Sequence, residues 1–209
     1  MFSGIIEAEG KIIGAEASGK CKRVRIQKPR AWDLSLGESV SVDGICSTVV
    51  ARTASSFDVE YMPETLSKTT AAQFRAKRMI NLERSLRYGD RIHGHFVTGH
   101  VDATSRVIKV EKQGRSRAVS IKVPREISKY IVPRGSIAVN GVSLTVARKS
   151  SGSFTVALIP HTLKVTNLAN VVRADAVNIE VDILARLPAL AGYRSGGRVA
   201  IHAKKKIRG

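Results

Sequence analysis

Cysteine is nearly absent: Cys21 and Cys46 are the only two in 209 residues. Two thiols cannot build a disulfide framework, and no C-x-x-C or Cys/His cluster marks zinc. That usage fits a reducing compartment, so the expected location is the cytoplasm. Long apolar runs are missing too. Stretches such as Ile131-Val132 fall far short of the ~18 residues a membrane helix needs. The opening MFSGIIEAEG has no basic segment leading into an apolar one, so no secretory signal is expected. Aromatics are 5% of the chain, too few for the interleaved stacking surface on which single-strand nucleic-acid binders depend. Acids are also short: 17 Asp and Glu against 35 Lys and Arg leave a net charge of +18. Alone, that surplus invites a polyanionic partner. Its placement argues otherwise. Arg194, Arg198, Lys204, Lys205, Lys206 and Arg208 sit in an acid-free tail that looks appended, and the rest is spread along the chain. Neither a membrane nor a nucleic acid is the expected partner.

What the chain does have is a second copy of itself. GESVSVDGICSTVVA at 37–51 resembles RGSIAVNGVSLTVA at 134–147, with Ser39, Gly44 and Thr48 each 97 residues before Ser136, Gly141 and Thr145. The same offset pairs MPETL at 62–66 with IPHTL at 159–163, Thr69 with Thr166, and Asn81 with Asn178. Nearer the start the offset is 95, pairing Gly4 with Gly99, Val24 with Val119 and Pro29 with Pro124, so a two-residue insertion precedes Ser136. A repeat of this length means two like units in tandem. Hydrophobic residues are 43% of the chain, enough for each unit to pack a core. Residues 23–27 alternate polar and apolar as a half-buried strand does, and 39–42 and 57–61 do the same. Asp43-Gly44 and Asn140-Gly141 are tight-hairpin signals. Pro63 and Pro160 open short helical turns. One longer helix is expected over 183–190, shortened or kinked by Pro188. The fold class is therefore all-β: two tandem homologous antiparallel Greek-key barrels with short helical turns and a short C-terminal helix. The expected division is 1–94, 95–186, and a helix end with basic tail over 187–209.

MFSGIIE, DGICSTV, MPETL, GHFVTGHVD at 94–102, NGVSLTV and IPHTL, in this order and across both copies, resemble the riboflavin synthase family of the bacterial α-chain type over about residues 1–186. The resemblance implies that each barrel binds one 6,7-dimethyl-8-ribityllumazine. One lumazine gives a four-carbon unit to the other, yielding riboflavin and 5-amino-6-ribitylaminouracil. It implies a homotrimer in which the N-terminal barrel of one subunit faces the C-terminal barrel of another, and no metal or organic cofactor. The chemistry suits such a site. The lumazine 7-methyl group is acidic because its anion spreads into the ring, so a modest base suffices. Holding two flat rings in attack geometry supplies much of the rest.

Cys46 falls where the family has a functionally sensitive cysteine, which would polarise or attack the acceptor lumazine or orient a water; free Cys otherwise packs as a small apolar residue. Its repeat partner is Ser143, so the barrels are chemically unequal, as donor and acceptor roles require. Ser39 matches an active-site serine near the acceptor. His100 matches a position near the reacting pair and can carry a proton near neutral pH; His95 is read as shaping the linker. Asp182 matches a carboxylate at the end of the last strand, and it can also cap the following helix. Ligand contacts carried over to the first copy are Phe2, Ser3, Gly4, Thr48, Met62, Glu64 and Thr65; Phe2 and Ser3 lie where the family folds the first strand against the acceptor site, the alternative for Phe2 being a plug of the barrel. In the second copy they are Gly99, Asn140, Ser143, Thr145, Ile159, His161 and Thr162. Three positions depart from the family pattern. Asn140 stands where several members carry an aspartate, Ser47 replaces a leucine and is expected to put a hydroxyl beside Cys46, and the C-terminal helix is short. A non-catalytic lumazine or flavin carrier is the rival reading, opposed by the intact GHVD and SLTV.

Overall fold

A computed structural model describes residues 1–191. The basic tail beyond lies outside the described residues. The first half contains six strands: Ala8–Ser18 (β1), Cys21–Gln27 (β2), Ser39–Val42 (β3), Ile45–Arg52 (β4), Ser56–Tyr61 (β5) and Met79–Arg84 (β6). The second half repeats them as Ala103–Gln113 (β7), Ser116–Lys122 (β8), Ser136–Val139 (β9), Val142–Lys149 (β10), Ser153–Leu158 (β11) and Ala176–Val181 (β12). Each set closes into an antiparallel barrel, the first in the order β1-β2-β5-β4-β3-β6 and the second in the equivalent order. Two short helices, Pro63–Lys68 (α1) and Pro160–Val165 (α2), start on the expected prolines. The two-residue insertion lies between β8 and β9, where the second half alone has a 3-10 turn, Arg125–Tyr130.

The inward positions of each strand make the cores. In β2, Val24 and Ile26 are fully buried while Arg23 and Arg25 face out onto Asp58. Phe57, Ile80 and Leu82 fill the first barrel, and Ile121, Phe154 and Ile179 the second. The last helix, Ile183–Ala191 (α3), runs through Pro188 to one residue beyond the expected end. A proline in a single turn removes one backbone bond without stopping the chain, so the expected shortening does not occur. Arg186 pairs with Asp102 and fixes the start of α3 to the second barrel. No helix among the described residues is long and apolar enough to cross a membrane.

The barrels are joined by more than the linker. Residues 2–6 leave the first half and lie on the second; residues 97–101 do the reverse. Gly4 O accepts from Ser143 N at 2.7 Å, and Gly99 O from Cys46 N at 2.8 Å. Ile6 is buried in the core of the second barrel, and Val101 packs against the core of the first. The two arms meet where Phe2 and Val97 exchange backbone bonds of 2.7 and 3.0 Å. A second meeting point is formed by the hairpin turns. Asp43, Gly44, Asn140 and Gly141 all have positive φ, which is the twisted two-residue turn that matches hairpin strands. A Cβ on Gly44 would come within 2.6 Å of Gly141 N, so the turns touch back to back. Around them, Asn81 Nδ2 donates to Asn140 O (2.9 Å), and Asn178 Nδ2 donates to Asp43 O (2.8 Å).

Candidate functional site

Alternation along β4 turns Ile45, Ser47 and Val49 into the barrel and Cys46, Thr48 and Val50 outward. Directly opposite residues of an antiparallel pair share a face. The register therefore puts Ser39 beside Thr48, and Ser41 beside Cys46, on the outside of the first barrel. The same pattern in β10 turns Ser143 and Thr145 outward, with Ser136 opposite Thr145 and Ala138 opposite Ser143. Each outward face is bordered by an arm from the other half. The arms bend at Gly4 (φ 76°) and Gly99 (φ 80°), where an added Cβ would lie 2.7 Å from the Cβ of Ser143 or of Cys46. Only glycine fits both the backbone angle and the contact.

Each arm is held by a buried carboxylate from its own half. Glu83 accepts from Ser3 N, Ser3 Oγ and Gly4 N at 2.7–3.0 Å, and Glu180 accepts from Thr98 N, Thr98 Oγ1 and Gly99 N at 2.6–2.9 Å. Burial pushes both carboxyls above their ordinary range, and these hydrogen bonds pull back against it. No motif in the sequence separates these two acids from ordinary strand residues. Their one signal is that they are repeat partners at buried positions.

Several expected ligand positions do come together: Ser39, Cys46 and Thr48 on one face, Ser143 and Thr145 on the other. Others are placed differently. Phe2 and Ser3 were expected against the acceptor site, with plugging the barrel as the alternative for Phe2; the next residue, Gly4, bonds Ser143 of the second barrel. Phe2 is fully buried between the barrels in a small cluster with Val97 and Ala138, against which Cys46 packs. Ser47 does not stand beside Cys46. Strand alternation turns it inward, where its hydroxyl meets Ile45 O and the Tyr61 hydroxyl. Asn140 is buried in the turn seam and its Oδ1 accepts from Asn178 N at 2.8 Å. Its repeat partner Asp43 accepts from Asn81 N in the same way. Asp182 caps α3 through Leu184 N at 2.9 Å. Met62 and Ile159 are exposed, as are Glu64 and His161, and Glu64 pairs with Lys68 at 2.7 Å. Thr65 and Thr162 follow in α1 and α2, half-buried.

His95 and His100 differ in burial. His100 is exposed. His95, which the linker position made look structural, is buried with Nδ1 2.7 Å from Ser143 Oγ. Burial pulls its imidazole below the ordinary range, opposed by the negative charge of Asp182. The outward faces are open. Larger clefts of about 430, 480 and 490 Å³ lie elsewhere, and none is lined by Cys46, Thr48, Ser143 or Thr145. Each face presents outward hydroxyls and backbone groups from its own barrel, bordered by the arm of the other half.

Comparison with known proteins gives a consistent result. The model of the lumazine binding domain matches twice, at residues 3–85 and 98–182. Riboflavin synthase of Photobacterium phosphoreum is 39% identical over 188 residues, covering 89% of this chain and 86% of that protein. Riboflavin synthase of Brucella abortus is 38% identical over 203 residues, 93% of this chain and 100% of that protein. The Bacillus subtilis riboflavin synthase is 36% identical over 187 residues, with 89% and 87% covered. Among solved structures, LumP complexed with riboflavin superposes with a TM-score of 0.81 at 22% identity, covering 87% of this chain and 99% of that one. At that identity it speaks for the fold alone.

Proposed function

The chain belongs to the riboflavin synthase family as a tandem pair of lumazine-binding domains, and on that footing we propose that it is a transferase acting on two molecules of 6,7-dimethyl-8-ribityllumazine. The four-carbon unit of one passes to the other, giving riboflavin and 5-amino-6-ribitylaminouracil. We take residues 1–94 and 95–186 as the two ligand-binding units. The observation that carries this reading is the pair of outward faces with matched scaffolds and unmatched chemistry: a thiol at Cys46 and a hydroxyl at Ser143 in equivalent places. A reaction between two identical molecules in different roles needs such inequality. Each ring is positioned by small hydrogen-bonding groups, Ser39 and Thr48 on one side and Thr145 on the other, and positioning is the main catalytic contribution.

The faces being open, each needs a cover. We propose a homotrimer in which the Cys46 face of one subunit closes over the Ser143 face of another. The exposed Met62 and Ile159, with Leu184 and Leu187 on α3, are apolar surface suited to that contact. We place the enzyme in the cytoplasm, where its two free thiols stay reduced.

The test is to add the purified protein to the lumazine and follow riboflavin by absorbance. One riboflavin per two lumazines consumed is the expected result. Tight binding without riboflavin would mean a carrier. Gel filtration with light scattering should give three times the 22.6 kDa of one chain; a monomer that still turns over would reject the covered-face arrangement.

A further inference from the structure

The barrels match in strand order, arm path and arm-holding carboxylate. They differ in what stands beside the outward residue that touches the crossing arm. Around Cys46 stand Phe2, Val97 and Ala138, with Ser41 opposite it on the strand pair. Beside Ser143 there is an imidazole, His95, with Nδ1 at 2.7 Å from Oγ. The His95 backbone is pinned by its N–H donating to Ser3 O at 3.1 Å. The preceding Gly94 is pressed so close that an added Cβ would lie 2.8 Å from Ser143 Cβ. His95 Nε2 is buried with no hydrogen-bond partner among the described residues. A buried unpaired ring nitrogen disfavours folding, so packing alone gives no reason for an imidazole here. The negative charge of Asp182 favours the protonated ring, and its carboxylate accepts from Leu184 N at the helix start. A hydroxyl bonded to an imidazole is the nucleophile-and-base pairing that moves protons in many active sites.

We propose that His95, acting through Ser143, is the proton acceptor of the second barrel and assigns the proton-removing half of the reaction to that barrel. This rests on the synthase reading above. The C–H bond of the 7-methyl group of the lumazine on this face breaks. Its proton passes to Ser143 Oγ while the Ser143 hydroxyl proton passes to His95 Nδ1. The electron pair of the broken bond stays on the lumazine, spread over its ring. The imidazolium formed is stabilised by Asp182, and it returns its proton to water when the product leaves. Burial favours the neutral form of His95, the form that can take a proton. It is a positioning residue, since Ser143 and not His95 meets the ligand. The lumazine on the Cys46 face has no such relay and takes the other role.

The experiment follows exchange of the 7-methyl protons in deuterium oxide by proton NMR, together with riboflavin formation and lumazine affinity. H95Q, S143A and the double variant should each slow enzyme-dependent exchange and kcat by the same factor, about tenfold or more, because the two residues act as one unit. The dissociation constant for lumazine should change less than about threefold in each. H95N separates a proton acceptor from a structural bond: its amide can still bond Ser143 but cannot take a proton, so it should be as slow as H95Q. Exchange at the wild-type rate in H95N, or losses that multiply in the double variant, would overturn the relay. Riboflavin formed equally by wild type and H95Q sinks the relay alone. No riboflavin from folded wild type sinks the synthase reading and the relay with it.

Discussion

At the scale of residues, neighbours in sequence part company across a strand. Cys46 faces outward, while Ser47 faces the core and gives the buried Tyr61 hydroxyl its partner at 3.0 Å. Ser47→Ala leaves that hydroxyl unpaired and should cost about 1–2 kcal/mol in urea unfolding, with kcat unchanged. Cys46→Ser should leave stability nearly unchanged and lower kcat; normal turnover would end a thiol-specific role. Asp43 offers a pH prediction. Burial pushes its carboxyl up from 3.8 to about 6, and its Oδ2 has no hydrogen-bond partner, with Arg78 no closer than 3.7 Å. Its folded pKa being raised, the native state holds the proton more tightly than the unfolded chain. Stability from this residue is therefore full below about pH 4 and falls as pH rises to 6, by on the order of 2–3 kcal/mol. Asp43→Asn keeps the Oδ1 that accepts from Asn81 N, as Asn140 does in the other half. The variant should gain on wild type between pH 4 and 7 in thermal melts; parallel curves would reject the assignment. Such placements explain why the residues were only partly legible in sequence. Period-two alternation decides that Cys46 and Thr48 share a face. Nothing local says that Ser143 meets an imidazole 48 positions away, so His95 was read as shaping the linker.

At the scale of elements, the legible strands were those with clean alternation and a marked turn, such as β2 and the β3–β4 hairpin. The longest two, β1 and β7, were not read. Each carries a register shift, between Ile12 and Gly14 in one and between Val107 and Lys109 in the other. A bulge adds a residue and breaks the period on which such reading depends. The arms were illegible for a different reason. Residues 2–6 make their apolar contacts with the other barrel, so no local pattern reports them. The exchange yields a crossed prediction. Gly4→Ala lies in the first half but should disturb the Ser143 face of the second barrel, and Gly99→Ala should disturb the Cys46 face of the first. Both force a left-handed backbone and a contact of 2.7 Å, so losses of several kcal/mol are expected. Lumazine titration of each variant, with stability measured alongside, checks which face is lost; loss of the face on the mutated half would contradict the crossing.

At the scale of the whole molecule, the tandem repeat was legible because two copies in one chain supply their own alignment, and from it came two barrels and their unequal sites. How the copies embrace was not. The seam of Asp43, Asn81, Asn140 and Asn178 joins residues of both halves; the repeat paired Asp43 with Asn140 and Asn81 with Asn178 but gave no sign that the two pairs meet. The crossed arms carry one more implication. Between β6 and the second arm, Tyr88 is fully exposed and Gly89 has nothing within 4 Å of an added Cβ, so a protease can cut there. Each fragment would keep its own barrel strands and the apolar residue, Ile6 or Val101, that the other lacks. The nicked protein should run as one species in native gel filtration and as two bands under denaturing conditions; fragments that separate would show that the arms contribute little. Two barrels that trade arms are the halves of a heterodimer, and the peptide between them serves as a tether that raises their local concentration.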